Sequence, residues 1–120
     1  MELVLIDTNI VLYTIKGNPV IEPYLEFDFA ISEISIIELL GVKHIDESTL
    51  KIRKKFIDGI NNFPFNAEIK DLTILLKQSY TLKIPDAIIA ATAMHYNQPL
   101  LTADRDFKKI REITSIIITL

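Results

Sequence analysis

Four acidic residues in this 120-residue chain lie beside predicted strand ends or helix starts. Asp7 follows the apolar run LVLI, and Asp104 follows the predicted strand PLLTA. Glu38 lies within SEISIIELLG and Asp86 within KIPDAIIAATA, each near a predicted junction. The carboxyl ends of parallel strands meet at one edge of an α/β sheet, where ligands usually bind. We therefore expect these four carboxylates to lie near one another.

Such a group of carboxylates favours binding of a hard divalent cation. Two carboxylates about 5 Å apart repel by about 3 kcal/mol at an effective dielectric constant near 20, and a cation offsets that repulsion. Oxygen ligands without His or Cys select Mg²⁺ or Mn²⁺, which retain water and bind phosphates. Neither His44 nor His95 has a partner at metal-ligand spacing. The acids therefore predict phosphoryl chemistry, in which the ion activates water and stabilises the leaving oxygen.

Three of these acids also have structural interpretations, each of which is the commoner one when taken alone. Asp7 and Asp104 are expected to cap the helices that follow them, with Asp106 adding negative charge to the first turn. Asp86 follows Pro85 at the start of a predicted helix, where a carboxylate complements the helix dipole. The placement of all four acids at one edge is what favours a functional site.

The interpretation of Glu38 depends on where its helix begins. If the helix begins at Ser35, the segment SIIE is a capping box and Glu38 has a structural role. If it begins at Ser32, Glu38 lies almost two turns into an apolar segment, where burying an uncompensated carboxylate is costly. The sequence leaves both registers open.

Alternation of short apolar runs with helical periodicity predicts an α/β fold. The predicted strands span residues 2–6, 27–31, a short edge segment within 61–65, 99–103 and 115–120. The predicted helices span residues 8–16, 33–43, 47–61, 67–80 and 85–95, with a short one at 104–110. Because strands separated by helices imply right-handed crossovers, we expect a three-layer α/β/α arrangement around a mostly parallel sheet of four to five strands. One domain over residues 1–120 is expected.

The composition restricts the expected environment and partners. A net charge of −3 argues against binding nucleic acid through bulk positive charge, although it allows a local basic patch. The chain has no cysteine, which fits a reducing cytosol. Its first residues show neither a signal peptide nor a membrane-spanning pattern. We expect a cytoplasmic protein with no membrane association.

Four stretches together resemble the PIN-domain family, and more narrowly the VapC-type toxins of toxin–antitoxin pairs. LIDTNIVLY, ISEISIIELLG, IPDAIIAATA and LLTADRDF follow the family's order and spacing from Leu3 to Phe107. The resemblance implies an endoribonuclease that depends on Mg²⁺ or Mn²⁺. It also implies that the same acids are catalytic and bind the metal, namely Asp7, Glu38, Asp86 and Asp104.

The resemblance extends to supporting residues and to partners. Asn9 and Thr102 match polar positions that support the acids, and Asp106 matches a further acid found in many members. We expect Thr8, between Asp7 and Asn9, to have a local backbone partner. Members commonly form homodimers and are inhibited by an antitoxin whose C-terminal segment enters the active site. The expected partners are therefore RNA, a cognate antitoxin and a second copy of the chain.

Two basic runs provide candidate contacts with RNA phosphates. The run after Asp104 contains Arg105, Lys108 and Lys109, and the segment KIRKK spans residues 51–55. A solvated helix face is the default interpretation of either run. The first run adjoins the acidic edge, so its residues are the stronger candidates for RNA binding.

Other functions remain open at this point. A housekeeping RNA-processing PIN nuclease has the same acids, and a non-catalytic PIN-like scaffold binding RNA or protein is a further alternative, although it has no need of four intact acids. A phosphate-accepting receiver domain needs a pair of acids after the first strand, where this chain has Asp7 alone. A haloacid-dehalogenase-like phosphatase needs an aspartate where Asn9 stands.

Overall fold

The computed structural model describes residues 2–120, in which five strands form one sheet. The strands are β1 (Leu3–Ile6), β2 (Asp28–Ser32), β3 (Asn61–Phe63), β4 (Leu100–Thr102) and β5 (Ser115–Ile117). The α-helices are α1 (Thr8–Ile15), α2 (Glu33–Leu40), α3 (Glu47–Asp58), α4 (Ala67–Ser79) and α5 (Ile84–Tyr96), with two 3₁₀ helices at Pro19–Tyr24 and Arg105–Lys109. No helix within residues 2–120 is long and apolar enough to cross a membrane.

All neighbouring strands are parallel, in the order β3-β2-β1-β4-β5. This confirms the expected α/β class and places the short strand β3 at an edge, as its proline-containing segment predicts. The chain moves outward from β1 through β2 to β3, and then returns to place β4 on the other side of β1. The reversal creates a switch point between β1 and β4, at the carboxyl edge where ligands bind in such sheets.

Alternate residues of β1 supply the two halves of the core. Val4 and Ile6 are fully buried in a cluster with side chains of α1, α2 and α3. Leu5, which points to the opposite face, is fully buried against α4 and α5. Because side chains of a strand alternate between the faces of a sheet, a continuous apolar run is needed when both faces are covered. The core thereby holds β1 rigidly beneath the residue that follows it, Asp7.

The structure differs from the sequence-based expectation mainly at helix ends. Helix α2 ends at Leu40 rather than at residue 43, and α3 ends at Asp58 rather than at residue 61. Glycine follows each end directly, as Gly41 and Gly59. The 3₁₀ helix Pro19–Tyr24 was not predicted, because two prolines in six residues conceal helical periodicity.

Gly41→Ala is expected to lower the free energy of unfolding by about 1 to 3 kcal/mol. An added Cβ would lie 2.6 Å from the backbone oxygen of Ile37, so the end of α2 would have to shift. Gly59→Ala is the matched control, because its Cβ would meet nothing closer than 3.5 Å. Urea unfolding measures both variants, and a Gly41→Ala protein as stable as the wild type would contradict this steric argument.

Candidate active site

Asp7 is the most enclosed of the four acids, with only 5% of its surface exposed. It caps α1, because one carboxylate oxygen accepts a hydrogen bond of 3.0 Å from the backbone N–H of Ile10. Its other oxygen accepts a hydrogen bond from the Thr102 hydroxyl. The register pairs Ile6 with Leu101, so the next residues along β1 and β4 meet at the sheet edge. The capping role and the placement at the edge therefore coexist in one carboxylate.

Thr102 connects Asp7 with Asp104. Its hydroxyl oxygen accepts a hydrogen bond of 3.0 Å from the backbone N–H of Asp104, while its hydrogen goes to Asp7. Asp104 in turn caps the second 3₁₀ helix, accepting a hydrogen bond of 2.9 Å from the backbone N–H of Asp106. Both Asp104 and Asp106 are exposed, whereas Thr102 is fully buried. The buried hydroxyl thus links the first and fourth acids through direct hydrogen bonds.

The structure decides the register of the helix that carries Glu38. Ser32 caps α2 by accepting a hydrogen bond from the backbone N–H of Ile34, so Glu38 is the sixth residue of the helix. The capping-box interpretation that starts at Ser35 is therefore wrong. The Glu38 side chain is exposed rather than buried in the apolar segment, and Oε1 accepts a hydrogen bond of 2.7 Å from the Thr8 hydroxyl.

This contact corrects the expectation that Thr8 has a local backbone partner. Its side chain contacts α2 instead, because α1 and α2 begin at the carboxyl ends of adjacent strands. Ser35, fully buried on α2, lies 3.0 Å from the Thr8 hydroxyl and was also absent from the predicted site. Its spacing of three residues from Glu38 places both on one helix face, but no local pattern indicates a partner 27 residues away.

Asp86 is the third residue of α5 and is half-buried. The residue at the N-cap position is Lys83, whose side chain makes no capping bond. Burial raises the pKa of the Asp86 carboxyl, and the negative charges of Asp104 and Glu38 raise this pKa further. The positive charge of Lys83 lowers it, and Asp106 adds a smaller upward effect. Asp86 is therefore within electrostatic reach of acids from the other elements.

The same mutual influence extends to Asp7. Burial raises the pKa of its carboxyl, against the lowering effect of the hydrogen bonds from Thr102 and Ile10, and Asp104 and Asp86 raise it further. Within residues 2–120, however, no three His, Cys, Asp or Glu side chains are grouped closely enough to hold a metal ion as they stand. The four acids share one edge, but individual hydrogen bonds orient three of the carboxylates.

Other residues considered from the sequence lie around this edge. Asn9 is exposed, and in the part of the chain that the structure describes its side chain makes no hydrogen bond to the four acids. Arg105, Lys108 and Lys109 are exposed on the second 3₁₀ helix. Lys109 donates a hydrogen bond of 2.8 Å to the carbonyl oxygen of Thr81, and so partly serves to hold the loop before α5.

His95 lies away from the acids, in the last turn of α5, whereas Asp86 lies in the first. Its Nδ1 is 3.0 Å from a carboxylate oxygen of Glu68, and its Nε2 is 3.1 Å from the side-chain amide of Asn66. These contacts hold His95 between α4 and the segment before it, away from the acids. The acidic edge is therefore an all-oxygen donor set.

The fold and the acids define an α/β protein with an acidic site at the switch point of a parallel sheet. Comparison with known proteins identifies the family. The PIN domain family matches residues 4–113. A protein named Ribonuclease VapC from Rickettsia bellii is 31% identical, in an alignment covering 97% of this chain and 96% of that protein. The chain belongs to the PIN-domain family and is a homologue of VapC ribonuclease toxins.

Solved structures show the same relationship. A toxin–antitoxin complex from Klebsiella pneumoniae contains a chain 30% identical to this one, with a TM-score of 0.79, covering 92% of this chain and 95% of that chain. A chain in the structure of VapBC2 from Rickettsia felis, bound to a promoter DNA fragment, has 24% identity and a TM-score of 0.81. That match covers 98% of this chain and 99% of the other, so the fold is shared along the full length.

Asp86→Asn is expected to raise the melting temperature of the metal-free protein at pH 7 by about 2 to 5 °C. The substitution removes a charge that burial and neighbouring acids disfavour. A carboxyl whose pKa is higher in the folded state lowers stability as pH rises from the unfolded pKa through the folded one. The gain should therefore be small near pH 4, grow with pH and then level off, as measured by thermal unfolding in EDTA.

Asp71→Asn is the control for this series, because Asp71 is an exposed residue of α4. It should give no comparable pH-dependent gain. If Asp86→Asn instead lowers the melting temperature at pH 7, complementing the dipole of α5 outweighs repulsion from the other acids, and the electrostatic interpretation of Asp86 is wrong.

Proposed function

We propose that this protein is an Mg²⁺- or Mn²⁺-dependent endoribonuclease that acts as the toxin of a toxin–antitoxin pair. The observation that carries the proposal is the placement of four acids from separate elements within electrostatic reach at one sheet edge, in a chain that belongs to the PIN-domain family. The Rickettsia bellii relative named as a ribonuclease aligns over 97% of this chain, which supports the same reaction here. We assign this activity to a single domain over residues 1–120.

The chemistry of the donor set fits a hard divalent cation. Asp7, Glu38, Asp86 and Asp104 offer only carboxylate oxygens. Burial, and to a lesser extent the neighbouring acids, raises the pKa of Asp7 and Asp86, so a cation near them would offset a disfavoured negative charge. Mg²⁺ commonly uses one or two carboxylates and keeps several waters, so it does not need a complete protein cage. When bound, such an ion would supply an activated water and charge stabilisation for phosphodiester hydrolysis.

The buried and the exposed acids have different roles in the proposed site. Asp7 is held by hydrogen bonds to both of its oxygens, each of which retains a lone pair for a cation. Exposed Glu38 and Asp104 lie on the solvent side, where an RNA phosphate can approach. Asp86 is anchored by the start of α5, beside the buried core. A rigid buried acid and more accessible acids together would orient the reacting phosphate.

The exposed side chains of Arg105 and Lys108 are the RNA contacts that we infer. Both extend from the 3₁₀ helix that begins directly after Asp104, so a strand entering the site passes close to them. Lys109 belongs to the same surface, but its ammonium group also holds the carbonyl of Thr81. Phosphate contacts of this kind position RNA without reading its sequence.

We further infer three partnerships from the family and its solved structures. The structural relative from Klebsiella pneumoniae is part of a toxin–antitoxin complex, which supports a cognate antitoxin as the inhibitor of this chain. A homodimer is the assembly that the family resemblance implies. We propose a cytoplasmic location for this activity, with RNA as the substrate.

Asp7→Asn, Asp86→Asn and Asp104→Asn are each expected to reduce RNA cleavage by more than about 100-fold, beyond the effect typical of outer-shell changes. Each substitution removes one anionic ligand at nearly constant volume. Cleavage of total bacterial RNA with Mn²⁺ measures the loss, and growth after induced expression measures toxicity. Asp106→Asn should reduce RNA cleavage less. An equal loss of cleavage would indicate that Asp106 is also a metal ligand.

Stabilisation by Mn²⁺ tests the metal site without any RNA substrate. Mn²⁺ at a hundredfold excess over its dissociation constant should stabilise the wild type by about 2.7 kcal/mol and Asp86→Asn much less. A wild type whose melting temperature is indifferent to millimolar Mn²⁺, and which cuts no RNA, would support a non-catalytic scaffold instead. Cleavage without growth inhibition would favour a housekeeping RNA-processing nuclease.

Replacing Arg105 and Lys108 together by Gln should weaken RNA binding and reduce the slope of log K against log salt by about one to two units. The slope becomes less steep because RNA binding releases fewer counterions when phosphate contacts have been removed. Lys51→Gln with Lys54→Gln on α3 is the charge-matched control and should leave the slope unchanged. Binding isotherms at several salt concentrations measure both pairs of substitutions. An unchanged slope for the first pair would show that Arg105 and Lys108 are solvated surface residues that do not contact RNA.

A further inference from the structure

Thr8 makes a side-chain contact that neither capping nor core packing requires. It is the first residue of α1, directly after Asp7, yet its hydroxyl oxygen lies 2.7 Å from Oε1 of Glu38 and 3.0 Å from Oγ of Ser35. A carboxylate only accepts hydrogen bonds, so Thr8 donates its single hydrogen to Glu38. Ser35 must then be the donor to Thr8. The three groups form a directed chain, Ser35 to Thr8 to Glu38.

Glu38 depends on this chain for its orientation. Its side chain is exposed, and within residues 2–120 no other side chain donates a hydrogen bond to its carboxylate. A free glutamate side chain loses rotamer entropy when it is fixed, so a stable orientation needs a partner that holds it. Thr8 provides a fixed donor, because it is half-buried in the first turn of α1 and also contacts Ser35, which is fully buried.

The geometry also ties two of the acids to one piece of backbone. Asp7 is locked by Thr102 and by the N–H of Ile10, and Thr8 is its immediate neighbour in the chain. The hydrogen bond from Thr8 therefore fixes a carboxylate oxygen of Glu38 relative to the backbone that holds Asp7. Without it, α2 still carries Glu38, but the carboxylate is free to rotate into solvent.

We propose that Thr8 is a positioning residue, whose hydroxyl, supported by Ser35, holds the Glu38 carboxylate in the orientation required for metal binding and RNA cleavage. This inference rests on the proposed function. The alternative is that Thr8 only joins α1 to α2 and affects the site through stability. Thr8→Val removes the hydroxyl at nearly the same volume, whereas Thr8→Ser retains the hydroxyl and loses a methyl group.

A double-mutant cycle separates these interpretations. The proteins are the wild type, Thr8→Val, Thr8→Ser, Glu38→Ala and the double variant Thr8→Val/Glu38→Ala. Isothermal titration with Mn²⁺ alone gives metal affinity without any RNA, and a quenched fluorescent RNA oligonucleotide cut by the wild type gives kcat and KM. Urea unfolding in EDTA records the stability of each variant.

Thr8→Val should weaken Mn²⁺ binding about 10-fold, within the range typical of outer-shell residues, and lower kcat with little change in KM. Thr8→Ser should stay within about threefold of the wild type. In the Glu38→Ala background, Thr8→Val should have no further effect on Mn²⁺ affinity, because the group it orients is gone. An equal loss in both backgrounds would overturn the inference.

The outcomes also separate this inference from the proposed function. If the wild type binds Mn²⁺ with the coupling described but cuts no RNA, the proposed ribonuclease activity fails while the positioning role stands. If Glu38→Ala leaves Mn²⁺ affinity unchanged, the positioning role is overturned even when RNA is cleaved. Should Thr8→Val not fold, Ser35→Ala provides the second test, with an expected loss of Mn²⁺ affinity of about two- to fivefold that vanishes in the Glu38→Ala background.

Discussion

Burial of carboxylates at one sheet edge, together with repulsion between them, is the main electrostatic constraint on this structure. The parallel order β3-β2-β1-β4-β5 brings the carboxyl ends of β1, β2 and β4 together, and the acids follow those ends directly or lie on the adjoining helices. Burial raises the pKa of Asp7 and Asp86, and the neighbouring acids add to the effect. Ionised groups disfavoured in this way are common in functional sites, where a cation or substrate uses the same charge.

Hydroxyl groups and backbone N–H groups keep this edge ordered. Thr102 donates to Asp7 and accepts from the backbone of Asp104, while Thr8 donates to Glu38. The carboxylates that cap α1 and the second 3₁₀ helix, Asp7 and Asp104, are also ones that we propose for the site. Structural and functional interpretations of these acids are therefore compatible, since an oxygen that accepts one N–H retains another lone pair.

Membership of the PIN-domain family agrees with the position of these acids in the fold. The acids lie at the switch point between β1 and β4, where parallel sheets bind ligands, and their all-oxygen chemistry suits phosphates held through a divalent ion. The net charge of −3 means that RNA is not attracted by the whole surface. In the proposed function, Arg105 and Lys108 beside Asp104 supply local positive charge at the point where an RNA strand would enter.

The sequence by itself determined the α/β class and four of the five strands, because apolar runs are local patterns, and it predicted the short third strand only as an edge segment within residues 61–65. The four acids that it selected at strand ends and helix starts stay a prediction for the site. Tertiary structure alone decided the register of α2, which starts from Ser32 and leaves Glu38 exposed. It also decided that Thr8 contacts Glu38, and that Lys109 holds the carbonyl of Thr81. These contacts join residues about thirty positions apart, and only the packing of helices against the folded sheet determines which side chains meet.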